Sequence, residues 1–302
     1  MGAAGALIRL SALLVIALCA RCSAVKPAPE EALKQTETIV GRATWDGNLA
    51  LLTDAPALVV IDRVDGQVSR TTLTTADGAP LKPWGLGEAG GALYTVSGFV
   101  DLVKIGADGR TTRVGRLGRS LANLFDLDTG MAGQYASPDA GAALAVRVHA
   151  DGVLSALRSP PRASHGLSTL EEGLLNLLSC SAPPRVICWL PARAALFEVV
   201  DSALVPLTDL ERLPVGDPVL LVAGNGHRAI DDAIAAERGT YLILHPVPGA
   251  PGQQRLTTFD SRGRQTHTRP LDEPLRILLA VEGKTVVALA RSGAMVSIEV
   301  AW

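Results

Sequence analysis

One dipeptide recurs at a fixed interval and constrains this chain more than any other feature. Asp65-Gly66, Asp108-Gly109 and Asp151-Gly152 follow one another at 43 residues each time. Each sits between two apolar runs: LVVIDRVDGQVSRTTL (58–73), LVKIGADGRTTRVG (102–115) and AVRVHADGVLSAL (145–157). Asp-Gly is a strong hairpin signal because glycine takes the positive φ that tight turns require. The second and third copies also agree in register, Lys104-Ile105 with Arg147-Val148 and Ala107 with Ala150. A period of about 40–45 residues holding four short strands is the mark of a propeller blade.

The remaining strands fit that unit. NLALLTD (48–54), GALYTVSG (91–98), NLLSCS (176–181), VICWLP (186–191), PVLLVAG (218–224) and TYLILHPV (240–247) lie between turn signals, and later turns fall at Asp201-Ser202, Arg262-Gly263 and Ser292-Gly293. The chain therefore reads as all-β, a single β-propeller over 37–302. Dividing that span by units of about 44 residues gives six blades, with seven as the alternative and two stacked β-domains as a third reading. The last unit, RILLAVE, KTVVALA and AMVSIEVAW, lacks its outermost strand, while TETIVGRA (36–43) has no hairpin partner. Pairing the second outside the first closes the ring with an N-terminal strand and removes an open edge.

The strand-Asp-Gly-strand unit VVIDRVDGQV resembles the repeat of β-propellers of the quinoprotein (PQQ-like) or TolB/NHL-like kind. The resemblance spans nearly the whole mature chain and implies the architecture. Trp45, Trp84, Trp189 and Trp302 hold no fixed place relative to the turns, unlike the regular tryptophan of quinoprotein repeats, so no cofactor is expected from it.

Residues 1–24 have the order of a secretory signal: Arg9, then the apolar run Leu10–Ala20, then small residues ending at Cys22-Ser23-Ala24. Eleven apolar residues are too few to span a bilayer, and no other stretch of eighteen occurs, so the mature chain is expected without a transmembrane span. Cys19, after Ile16-Ala17-Leu18, resembles a lipobox position and is the candidate for lipidation as an anchor. Residues 25–36 (VKPAPEEALKQT) read as a flexible arm. Export agrees with the two remaining cysteines. Cys180 and Cys188 flank Pro183-Pro184 symmetrically about residue 184, which sets them opposite each other across a hairpin and within disulfide reach.

Charge and motifs narrow the function. Formal charge is −2 and becomes −4 when Arg9 and Arg21 leave with the signal, without basic runs, so nucleic acid is not an expected partner. Aromatics at 4% argue against an aromatic-lined sugar groove. There is no GxSxG elbow, Walker loop, dinucleotide fingerprint or histidine pair at metal spacing. Two loops carry candidate ligands. GNGHRAIDDAIAAERG (224–239) offers Asn225, His227, Asp231 and Asp232 at a channel mouth, and reads more simply as a solvated loop or a helical turn with Ile230 and Ile234 inward. FDLDTG (125–130) places Asp126 and Asp128 as the first two carboxylates of a calcium loop, yet lacks the third ligand and the later Glu, so a turn between blades is the plainer reading. The expected function is an exported, non-catalytic binding or scaffold protein of the bacterial cell envelope, periplasmic or outer-membrane associated. Its propeller face would dock a protein partner as an accessory subunit of a larger assembly. The other reading is a periplasmic propeller enzyme, a lactonase-like hydrolase or sugar dehydrogenase, with a divalent metal near Asp231, Asp232 or Asp126. A third is a small ligand in an apolar channel lined by Trp84 or Trp189.

Overall fold

The recurring glycines occupy one structural position. Gly66, Gly109 and Gly152 take φ of 69°, 79° and 89°, each turning the third strand of a sheet into the fourth. The computed structural model describes residues 34, 36–63, 66–78, 81–136, 142–162, 177–190, 195–207, 230–236 and 239–301. These form six antiparallel sheets arranged as a six-bladed propeller, with no α-helix among them.

Blade one is β1 (Ile39–Trp45), β2 (Asn48–Thr53), β3 (Ala57–Ile61) and β4 (Val68–Thr72). A two-residue strand, β5 (Thr74–Thr75), then crosses to blade two, β6 (Pro83–Ala89), β7 (Ala92–Ser97), β8 (Asp101–Ile105) and β9 (Arg110–Arg116), and lies parallel against β9 as a fifth strand. Blade three is β10 (Leu121–Asp126), β11 (Met131–Tyr135), β12 (Val146–Val148) and β13 (Leu154–Ser155). Blade four is β14 (Ser179–Cys180), β15 (Ile187–Leu190), β16 (Ala195–Val200) and β17 (Ala203–Pro206). Blade five is β18 (Asp232–Ala235), β19 (Tyr241–Pro246), β20 (Gln254–Phe259) and β21 (Gln265–Pro270). Blade six is β22 (Leu275–Glu282), β23 (Thr285–Ala290) and β24 (Met295–Glu299), three strands among the described residues.

Within a blade, alternate side chains point to its two faces, and each face packs on the next blade. Six buried apolar clusters result, one per interface. Leu52 and Leu86 sit between blades one and two, Val96 and Leu124 between two and three, and Leu144 and Cys188 between three and four. Trp189 and Ile243 lie between four and five, Leu244 and Val286 between five and six, and Leu51 and Leu279 between six and one. Burying one such leucine contributes roughly 1.5–3 kcal/mol, so the ring holds by packing.

Two expectations are corrected here. The N-terminal strand does not pair outside the last blade: β1 is the innermost strand of blade one, bonded to β2 from Ile39↔Thr53 to Trp45↔Asn48. Gly41 lets it lie against β6 so closely that a Cβ would come 2.3 Å from the Leu86 nitrogen. The ring therefore closes through the side chains shared by blades six and one. Second, residues 232–235 are strand β18, not a helical turn; Ile230 and Ile234 are both buried, as residues an even number apart in an extended chain also are. Residues 218–224 lie outside the described residues, as do 1–33.

The cysteine reading holds. Cys180 and Cys188 pair directly across β14 and β15 with Cα atoms 4.0 Å apart and form a disulfide around the Pro183-Pro184 turn.

Candidate functional site

The six inner strands, β1, β6, β10, β14, β18 and β22, present their unpaired backbone edges to the ring centre. Buried edge amides need acceptors, and two aspartates supply them. Asp232, 1% exposed, accepts from the Leu278 amide of blade six at 2.5 Å and from the Ala233 amide at 2.9 Å. It also holds the guanidinium of Arg42 from blade one, with contacts of 2.6 and 3.3 Å. Arg42 in turn reaches the Leu278 carbonyl and lies 5.2 Å over the ring of Trp189. A charge buried this way persists only because it is paired.

Asp126, 2% exposed, does the same on the other side. It accepts from the Thr44 amide at 2.9 Å and the Glu88 amide at 2.6 Å, joining blades one, two and three. Burial, with the charge of Glu88 adding to it, raises its pKa to about 7 against the pull of the two amides. Opposite, the Pro183 carbonyl of blade four accepts from Thr44 Oγ1 at 3.3 Å and from Arg63 Nη2 at 3.0 Å. Strand β1 thus bonds to all five other blades' side of the centre or packs on them.

Asp128 belongs elsewhere. Residues 127–130 turn β10 into β11 inside blade three, rather than linking two blades, and Asp128 accepts from the Ser202 amide at 3.0 Å and its hydroxyl at 2.5 Å on blade four. Those hydrogen bonds hold its carboxyl below the usual range although partial burial works against them. Asp126 and Asp128 are therefore bound to different blades and do not converge on a shared ligand.

Where the inner strands begin, hereafter the start face, the centre opens into a cavity of about 250 Å³. Glu37, Arg42, Asn123, Asp231, Asp232 and Arg276 line it, so it is polar although Trp189 forms part of its wall. Its carboxylates have cationic or amide partners: Arg70 grips Glu37 through contacts of 2.6 and 2.8 Å, and Gln254 donates to Asp231 at 2.7 Å. Arg276 donates through Nη1 to the Lys34 carbonyl at 3.1 Å, and burial lowers its pKa despite the charges of Glu37 and Asp54. Such a lining suits water or a small polar molecule. Among the described residues no three His, Cys, Asp or Glu side chains group as metal ligands. Asn225, His227 and Cys19 lie outside the described residues.

A second feature of the start face was not anticipated from the sequence. Trp84, at the beginning of β6, stacks on Phe99 in the β7–β8 turn with centroids 4.8 Å apart and planes 24° from parallel. Both remain exposed, at 39% and 38%. Phe99 takes φ of +69°, next to Gly98 at +56°, in a turn closed by the Val100 amide on the Ser97 carbonyl at 3.3 Å. A bulky side chain in that region costs on the order of 1–3 kcal/mol. On blade three, Arg119 lies 4.6 Å over Tyr135, and with Ser120 and Ala136 they line a recess of about 410 Å³. Trp84 therefore belongs to the rim, not the channel. The available signal was the Gly98-Phe99 pair at a hairpin tip, where the first position invites positive φ and the second resists it.

No protein-family model matches this sequence, and no curated protein does. Solved structures do match. The calcium-binding protein regucalcin from Agrobacterium tumefaciens str. C58 aligns at TM-score 0.50 and 12% identity, over 85% of this chain and 84% of that one. YCF48 from Cyanidioschyzon merolae aligns at TM-score 0.52 and 9% identity, over 88% and 83%. A structure of YCF48 bound to D1 peptide aligns at 0.48 and 11% identity, over 89% and 81%. At these identities the likeness is one of fold: a β-propeller.

Proposed function

We propose that this chain is an exported, non-catalytic binding protein of the bacterial cell envelope, whose propeller presents its start face to another protein as an accessory part of a larger assembly. The observation that carries the reading is how the charged groups at the ring centre are used. Asp126, Asp232 and Arg42 brace blades against one another through backbone amides and a buried ion pair. Groups committed to a frame are poor acids, bases or ligands, and a rigid frame suits a docking platform. Export rests on the signal at residues 1–24, with Cys19 as the point where a lipid would tether the chain.

The test is affinity purification of the mature protein from its native envelope in mild detergent, with mass spectrometry of what co-elutes. A stoichiometric protein partner is expected, together with an N-terminus processed at Val25 or acylated at Cys19. A stoichiometric divalent ion in native material, with a hydrolytic or dehydrogenase activity lost on chelation, would overturn the reading in favour of a propeller enzyme.

A further inference from the structure

We infer that the Trp84–Phe99 pair and the cations beside it form the docking site for an acidic peptide segment that carries a large apolar residue; this rests on the binding-protein reading above. Three observations converge. First, the backbone at Phe99 is left-handed, φ +69°, a conformation that glycine or asparagine adopts freely and a phenylalanine resists. Fold alone gives no reason for an aromatic there, since its side chain is exposed and fills no core. Strain held in place at an exposed aromatic is the signature of a working position.

Second, the site is pre-organised. The Gly98 amide bonds to the Lys82 carbonyl at 3.2 Å, and the Leu121 amide of blade three bonds to the Phe99 carbonyl at 2.8 Å. The turn is thus fixed between two blades before anything binds, which lowers the ordering cost of association. Trp84 shields one face of the Phe99 ring, and blade three adds a recess lined by Arg119, Ser120, Tyr135 and Ala136 on the segment whose Leu121 amide holds the turn.

Third, the charge is opposite to that of the chain. Lys82, Arg116 and Arg119 are exposed at this edge of blades two and three, while Asp101, the carboxylate next to the turn, is paired with Arg113 at 2.8 Å. A local cationic patch on a protein of net charge −2 selects an acidic partner by steering and by repelling the alternatives. Tryptophan, tyrosine and arginine are also the residues that dominate binding hot spots. An anionic membrane shares the charge, but the two rings stack on each other rather than projecting as an insertion wedge, which favours a peptide.

The experiment uses the full chain in its native envelope with a benzophenone photocrosslinker at position 99, and a control crosslinker at Val153, which is 55% exposed on the opposite face. A product from position 99 is expected, its sequenced segment acidic with a large apolar residue, and its yield falling at least fivefold between 50 and 300 mM salt, roughly as for a few charge contacts. Phe99→Asn is expected to keep or raise the Tm and to cut partner retention about tenfold, the cost of losing one hot-spot anchor. A neutral or basic segment, retention within about twofold by Phe99→Asn, or sedimentation of the wild-type chain with phosphatidylglycerol vesicles that Phe99→Asn abolishes would each overturn the site. Products from position 153 alone would overturn the site and the choice of the start face while leaving a binding protein that docks through its other face; products from neither would overturn both.

Discussion

Asp126 is the residue whose chemistry departs furthest from its ordinary state. Its folded-state pKa of about 7 stands above the usual 3.8, so between those values the folded chain keeps a proton that the unfolded chain has released. Its contribution is complete below about pH 4 and is lost as the pH rises through 7. Stability measured by urea unfolding from pH 4 to 8 should carry a declining component on the order of 1 kcal/mol per pH unit from this group. Asp126→Asn, though less stable because its amide faces a backbone N–H, should lack that component. A profile with the same slope in both proteins would remove Asp126 as its source. Arg42→Met should cost about 3–5 kcal/mol in urea unfolding, because it strands Asp232 in the interior; adding Asp232→Asn, which removes the charge and keeps an acceptor oxygen for a buried amide, should restore part of it. Both aspartates stand out in the sequence as carboxylates near turns, which is why they read as ligands. What the sequence hides is the row of inner-strand amides that claims them, since those amides come from blades 38 to 82 residues away.

At the scale of strands and turns, close approach decides more than hydropathy. A Cβ on Gly85, which has φ of +72°, would lie 2.0 Å from the Leu124 nitrogen of the next inner strand. Gly85→Ala should therefore be severe, 3 kcal/mol or more, as measured by chemical unfolding, since backbone on both sides has to move. The Cys180–Cys188 bond closes a short loop, and replacing both cysteines with alanine should lower stability by about 2–3 kcal/mol. The hairpins and this bond were legible because an Asp-Gly dipeptide or a cysteine pair astride two prolines specifies a local geometry by itself. Strand β18 was not, because isoleucines four apart suit one face of a helix and one face of a strand equally. Strand β5 escaped for another reason: two threonines paired parallel to a strand 36 residues on leave no periodic trace. Phe99 escaped because an aromatic in a turn looks like any loop residue until its φ is known.

For the whole molecule, the placement of β1 determines how the ring stays shut. A strand borrowed from the N-terminus would close it by a ladder of hydrogen bonds on the last blade. Here β1 sits innermost, and closure falls to the cluster joining Leu49, Leu51 and Ile61 to Ile277, Leu279 and Leu289, with Arg42 and Thr44 bonding across the centre. A chain shortened to begin at residue 48 should lose the cooperative unfolding transition in calorimetry; a sharp transition within a few degrees of the full chain's would show that β1 is dispensable. The same packing fixes the start face, so that the Trp84–Phe99 turn is held by two blades rather than by its own loop. Hydrogen exchange on the mature chain alone and in its isolated envelope complex reads out whether the braced ring works through that face. New protection is expected at 82–84, 97–101 and 117–120, with the amides of β1, β10 and β18 unchanged. Protection confined to the channel strands, with the Trp84–Phe99 edge exchanging as it does in the free chain, would contradict it.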